Sequence, residues 1–201
     1  MRSSPAHEVR SIGGLWKRSK LPVADKPGLR PTPGRVRETL FNWLGQGLSG
    51  WRCLDAFAGS GALGFEAASR GAAEVVLLER DPALAASLRQ CQQRLHADML
   101  RIEAVDALSW MSRAAAGSFD LVLLDPPFGS DLLERALPLA LPLVGRGGFI
   151  YLEAADSPTA LPEGWMLHRQ GRAGAVHFHL LQRTADGYTA GQSGPPRRIE
   201  P

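Results

Sequence analysis

Asp55-Ala-Phe-Ala-Gly59-Ser-Gly61-Ala-Leu-Gly64 is the stretch that decides the fold. It follows a short apolar run from residue 52 and leads into a helix-forming segment that Gly71 stops. A strand turning through glycines into a helix opens a nucleotide-binding α/β sheet, because glycine lets the backbone turn tightly beside a helix N-terminus. Gly59-Ser-Gly61-Ala-Leu-Gly64 fits the G-x-G-x-x-G pattern letter for letter. Glu79 ends the next apolar run, at the distance where a carboxylate takes ribose hydroxyls. These features specify an adenosine-containing cofactor. They leave a nicotinamide dinucleotide and S-adenosylmethionine both open.

Outward from this loop the chain alternates. Strands are predicted over 52–57, 74–79, 100–104, 119–124 and 148–153, with helices at 62–70, after Asp81-Pro82, at 107–115 and at 132–137. Asp81 caps its helix, whose stripe is Leu84, Leu88, Cys91 and Leu95, and Pro138 and Pro142 disturb the end of the helix from 132. Strands that alternate with helices imply a parallel, doubly wound sheet. The runs 165–170 and 176–183 are extended, with Gly171-Arg-Ala-Gly174 as the turn between them. An antiparallel hairpin closing a mostly parallel, Rossmann-like sheet is the usual finish of class I methyltransferases. Upstream, 7–23 reads as a β-hairpin around Gly13-Gly14, followed by a Pro/Gly-rich loop. Thr32 caps the next helix with Pro33 at its first position, and that helix buries Val36, Leu40, Phe41, Trp43 and Leu44. The organisation expected is a basic N-terminal extension at 1–33, an α/β domain at 34–184 and a disordered tail at 185–201.

The 201 residues are 44% apolar and 21% charged, ordinary for a soluble globular protein. No apolar run approaches the roughly 20 residues that span a bilayer, and the first residues lack the apolar core of a secretory signal. Cys53 and Cys91 are read as buried thiols in a reducing cytoplasm, with no metal or disulfide pattern. Charge is uneven: residues 1–40 hold nine Lys/Arg against three Asp/Glu, and the remainder fourteen against seventeen. A basic segment beside a slightly acidic body suits a polyanion, although a solvated basic terminus has the same composition. The cations in question are Arg10, Lys17, Arg18, Lys20, Arg30, Arg35 and Arg37.

The strand 119–124 runs into Asp125-Pro126-Pro127-Phe128, where open α/β sheets bind their ligands. The Asp125 carboxylate and the Pro126 carbonyl are acceptors, Pro127 stiffens the loop, and Phe128 is a flat stacking surface. Together they suit a planar base with an exocyclic amine. The competing reading is a plain strand exit with Phe128 filling core. Hydride transfer gives no reason for this tetrad, which favours S-adenosylmethionine. Asp55 agrees, since a carboxylate beside Phe57, Gly59 and Gly61 suits a cationic amino-acid moiety better than a pyrophosphate. Asp106 can accept from an adenine amine, or it can simply cap the helix that follows.

Arg30-Pro-Thr-x-x-Arg35-Val-Arg37-Glu38-x-Leu40-Phe41, then Phe57-Ala-Gly-Ser-Gly-Ala-Leu-Gly64, then Asp125-Pro-Pro-Phe128 appear in that order. The combination resembles the bacterial 16S rRNA guanine-N2 methyltransferase D family, from Arg10 to Arg183. Gly34 departs from it, standing where an acidic residue is expected. The resemblance implies S-adenosylmethionine as donor, Asp125–Phe128 as catalytic loop, and 16S rRNA or a small-subunit particle as partner. A cytoplasmic monomer is expected, since the cysteines suit a reducing compartment and nothing in the sequence demands more than one copy. It also implies that the hairpin and the 30–37 segment bind RNA or close the site. Guanine comes from the resemblance; the tetrad alone fits adenine-N6 methylation of DNA as well. A non-catalytic RNA-binding assembly factor on the same fold is the remaining alternative.

Overall fold

Leu121, Val122, Leu123 and Leu124 are all fully buried, because helices cover both faces of the strand that carries them. The computed structural model describes residues 8–17, 19–22, 32–154, 161–174 and 176–184. A small antiparallel pair, β1 (Glu8–Arg10) and β2 (Lys20–Pro22), comes first and is followed by α1 (Gly34–Trp43). The alternating part is β3 (Arg52–Asp55), α2 (Ala62–Ser69), β4 (Glu74–Leu78), α3 (Pro82–Leu95), β5 (Leu100–Glu103), α4 (Ala107–Met111), β6 (Phe119–Leu124), α5 (Leu132–Ala140) and β7 (Val144–Ala154). β8 (Trp165–Ala173) and β9 (Val176–Arg183) follow as the last two strands among the described residues.

The seven main strands lie in the order β5-β4-β3-β6-β7-β9-β8, with β9 antiparallel to both its neighbours. Successive side chains point to opposite faces, so each strand feeds two cores. Cys53, Leu77, Leu123 and Tyr151 pack under α1, α2 and α3, while Leu54, Val76, Val122 and Ile150 pack under α4 and α5. The thiols of Cys53 and Cys91 are buried and free. From β3 the chain builds outward through β4 and β5, then returns to lay β6 on the other side. The resulting crevice lies at the carboxyl ends of β3 and β6, and it sets the glycine loop beside Asp125.

Several boundaries differ from the sequence reading. α5 runs on through Pro138 to Ala140 before a 3-10 turn at Leu141–Leu143, and α4 ends early at Met111. β7 begins at Val144 because the glycines before Phe149 form an irregularity in its pairing with β6, not a break. Gly171 belongs to β8: a side chain there would meet the Phe178 ring at 2.4 Å, so glycine is what admits that aromatic partner.

The N-terminal hairpin is docked on α2. Gly14 has φ +71°, and a Cβ on it would sit 1.7 Å from the Ser69 carbonyl oxygen, so only glycine permits the approach. Leu15 N–H donates to that carbonyl at 2.7 Å, and Trp16 is buried against Phe65. Among the described residues, no helix is long and apolar enough to cross a membrane.

Candidate active site

Sheet register gathers four carboxylates on one edge. Asp55 pairs with Leu77 and Leu123, and Leu123 pairs with Tyr151. Glu79, Asp125 and Glu153 each lie two residues beyond one of these partners, so all four acids share one sheet face. Asp55 is 1% exposed; its Oδ2 accepts from Gly64 N–H at 2.9 Å, and its buried Oδ1 has no donor in normal hydrogen-bond geometry among the described residues, although the Phe57 N–H is near the carboxyl. Burial pushes this carboxyl up to about 7, the charges of Asp125 and Glu79 add to the rise, and the N–H groups of Gly64 and Phe57 oppose it.

The glycine loop is held by the acids around it. Gly59 N–H donates to Glu79 Oε2 at 2.9 Å, and Asp81 N–H to Glu79 Oε1 at 2.8 Å. Each oxygen keeps a second lone pair, so Glu79 can still accept from hydroxyls. Gly61 has φ +77°, and a Cβ there would meet Leu88 and Phe65 at 2.7 Å. Phe57 is half-buried and packs against the opposite core, with Leu54, Val76 and Val122. Asp106 caps α4, its Oδ1 accepting from Ser109 N–H at 2.8 Å, which leaves Oδ2 for any adenine contact. A buried carboxylate oxygen without a donor, set at a glycine loop, fits the ammonium group of an amino-acid moiety. Three acids around that loop disfavour a pyrophosphate. The residues therefore fit S-adenosylmethionine and not a dinucleotide.

Across the crevice, Asp125 is half-buried, Pro126 buried and Pro127 exposed, while Phe128 is 57% exposed. Phe128 does not fill core. Asp125 Oδ2 accepts from the Thr32 hydroxyl at 2.9 Å. Thr32 therefore does not cap α1; Pro33 takes the N-cap without a side-chain bond, because Thr32 is turned into the site. Burial raises the Asp125 carboxyl to about 6, and the Thr32 bond opposes the rise. Next to it, the Tyr151 hydroxyl donates to Glu153 Oε1 at 2.7 Å, with both side chains buried. Burial and then the Asp125 charge raise Glu153 to about 7, against the Tyr151 bond.

The cations divide. Lys17 and Arg35 are exposed. Arg10 and Lys20 are register partners in the hairpin, and Arg18 and Arg30 lie outside the described residues. Arg37, expected to reach RNA or the cofactor, is 3% exposed and turned inward, with Nη1 3.7 Å from Glu66 Oε2. On β9, His177 and His179 stack on one face with ring centroids 6.4 Å apart. Sequence reasoning passed over Thr32 as a site residue, and Glu66, Tyr151 and Glu153 altogether. Glu153 carried a usable signal, since it closes the apolar run Phe149–Leu152 as Asp125 closes Leu121–Leu124. Glu66 carried another, as the lone acid in an apolar helix.

A sheet of this order with one antiparallel strand, and a carboxylate-lined glycine loop facing Asp-Pro-Pro-Phe, defines a class I methyltransferase. Comparison with known proteins agrees. Residues 9–182 match the family described as Conserved hypothetical protein 95. The chain is 42% identical to Ribosomal RNA small subunit methyltransferase D of Escherichia coli (strain K12), with 92% of this chain and 94% of that protein covered. Identity to the Haemophilus influenzae protein of that name is also 42%, over 87% of this chain and 94% of the relative. The solved structure of yhhF from Escherichia coli superposes with a TM-score of 0.79 at 44% identity, covering 90% of this chain and 100% of the other. The chain belongs to the ribosomal RNA small subunit methyltransferase D family and is an S-adenosylmethionine-dependent methyltransferase.

Proposed function

We propose that this protein methylates the exocyclic N2 amine of a guanine in 16S ribosomal RNA, free or within a small-subunit particle, acting as a monomer in the cytoplasm. The observation that carries the base-binding part is Phe128, 57% exposed beside the half-buried Asp125 at the crevice. The relatives' names support the RNA, and the family resemblance supports guanine.

S-adenosylmethionine supplies an electrophilic methyl group. Asp55 and the Gly59–Gly61 turn would hold its amino-acid end near Phe57, Glu79 would take its ribose hydroxyls, and Asp106 its adenine amine. An exocyclic amine is a poor nucleophile because its lone pair is delocalised into the ring. Hydrogen bonds from the N2 hydrogens to Asp125 and the Pro126 carbonyl favour a pyramidal nitrogen and free that pair. The same acceptors stabilise the positive charge that develops on nitrogen. As the nitrogen lone pair bonds to the methyl carbon, the carbon–sulfur bond would break with its electron pair returning to sulfur, releasing S-adenosylhomocysteine, and the nitrogen would lose a proton to Asp125 or water. Holding the amine in near-attack geometry provides most of the acceleration. Stacking on Phe128 contributes about 1–3 kcal/mol, comparable with the few kcal/mol needed to unstack a nucleotide. Pro127 keeps the loop rigid. Lys17, Arg18, Lys20 and Arg10 in the hairpin, with Arg30 and Arg35, supply phosphate contacts whose strength falls with salt.

Replacing Asp125 tests the assignment. Asp125→Ala is expected to abolish methyl transfer to unmodified small subunits while leaving S-adenosylmethionine affinity within a few-fold. Near-normal turnover by this variant would remove Asp125 from the chemistry.

A further inference from the structure

Thr32, Arg37 and Glu66 form a continuous buried polar chain between the catalytic loop and the N-terminal hairpin. Thr32 is held at both ends: its hydroxyl donates to Asp125 Oδ2 at 2.9 Å, and its carbonyl accepts from Arg37 Nε at 3.3 Å. Arg37 Nη1 lies 3.7 Å from Glu66 Oε2. Glu66 in turn accepts from Ile12 N–H and Gly13 N–H, each at 2.8 Å. None of the three is more than 6% exposed, so water does not compete for these bonds.

We propose that Thr32 is a positioning residue for methyl transfer, clamping one oxygen of Asp125 and tying that carboxylate through Arg37 and Glu66 to the hairpin. The proposal rests on Asp125 being the acceptor of the amine. A carboxylate at a strand end turns about its own side-chain bonds; a donor fixed on Oδ2 stops that rotation and leaves Oδ1 for the base. Thr32 also counters burial, which favours protonation of Asp125. The titratable groups that face Asp125 are Asp55 from β3 and Tyr151 and Glu153 from β7. Against that setting the Thr32 hydroxyl, a neutral donor, favours the ionised form. The proton-accepting state of the site therefore depends on a residue outside the Asp-Pro-Pro-Phe loop.

The test is transfer from labelled S-adenosylmethionine to unmodified small ribosomal subunits, followed across pH, for Thr32→Val and Thr32→Ser. Losing a hydrogen bond to a charged group predicts a kcat lower by roughly tenfold for Thr32→Val. Its acid limb moves to higher pH, because Asp125 without the donor holds its proton longer. Cofactor Kd stays in the wild-type range, and Thr32→Ser restores both rate and pH profile. Thr32→Ala read against Thr32→Ser carries the same contrast if the valine variant does not fold. Wild-type kcat and acid limb in Thr32→Val would overturn the clamp, as would a serine variant as impaired as valine. An inactive Asp125→Ala beside an unaffected Thr32→Val overturns the clamp alone; an active Asp125→Ala overturns the site reading beneath it.

Discussion

Asp55 is the residue on which cofactor recognition turns, and its burial gives it a measurable signature. With no cation beside it, the carboxyl holds a proton up to about pH 7. An ammonium group favours the ionised form, so binding in the window below that pH expels the proton. Calorimetric titration with S-adenosylmethionine at pH 6 is therefore expected to give an enthalpy that depends on the buffer's ionisation heat, with proton release. Affinity should weaken as pH falls from 7. Asp55→Asn removes the release; a proton count of zero in the wild type would contradict the assignment. The residue types at the site are legible in the sequence: Asp55, Glu79 and Asp125 each close an apolar run, and Phe128 follows the Pro-Pro exit of its strand. The state of each was not. Exposure of Phe128, the orphaned Oδ1 of Asp55 and the inward turn of Arg37 arise from tertiary packing.

Among the elements, α2 does more than follow the glycine loop. Glu66, at the centre of this short apolar helix, collects hydrogen bonds from Ser11, Ile12 and Gly13 of the hairpin connection and from Arg70, beside the Arg37 ion pair. Removing one member of such a network leaves the other charges uncompensated, at a cost of about 3–5 kcal/mol. Glu66→Ala is thus expected to lower unfolding stability by that order and to raise amide exchange in residues 8–22, read by denaturant titration and hydrogen exchange. Unchanged protection of the hairpin would show that Trp16 and Ser69 anchor it without Glu66. A hairpin at Gly13-Gly14 was readable from the glycines and flanking extended runs. Its docking on α2 was not, because Glu66 and its hairpin donors stand more than fifty residues apart in sequence. The same limit applies to Thr32: a threonine before Pro33 reads as a helix cap, and only the fold brings it to Asp125.

For the whole molecule, topology makes the site. The alternation from Arg52 onward predicted the parallel sheet, and β6 spans 119–124 as read. Strand order brings the ends of β3 and β6 together, and with them the donor-binding loop and the base-binding loop. The longer β7 and β8 were harder to see, since glycines that signal turns here admit an irregular pairing and the Phe178 ring. Trp16 and α1 pack on the face of the sheet that carries the acids, so the exposed Lys17 and Arg35 belong to elements on that side of the molecule. The central claim is chemical: one amine, on one base, receives the methyl group. Incubating the protein with labelled S-adenosylmethionine and unmodified small ribosomal subunits, then digesting the RNA to nucleosides, reads that product directly. The label is expected in N2-methylguanosine; label in N6-methyladenosine, or none in the RNA, would contradict the account.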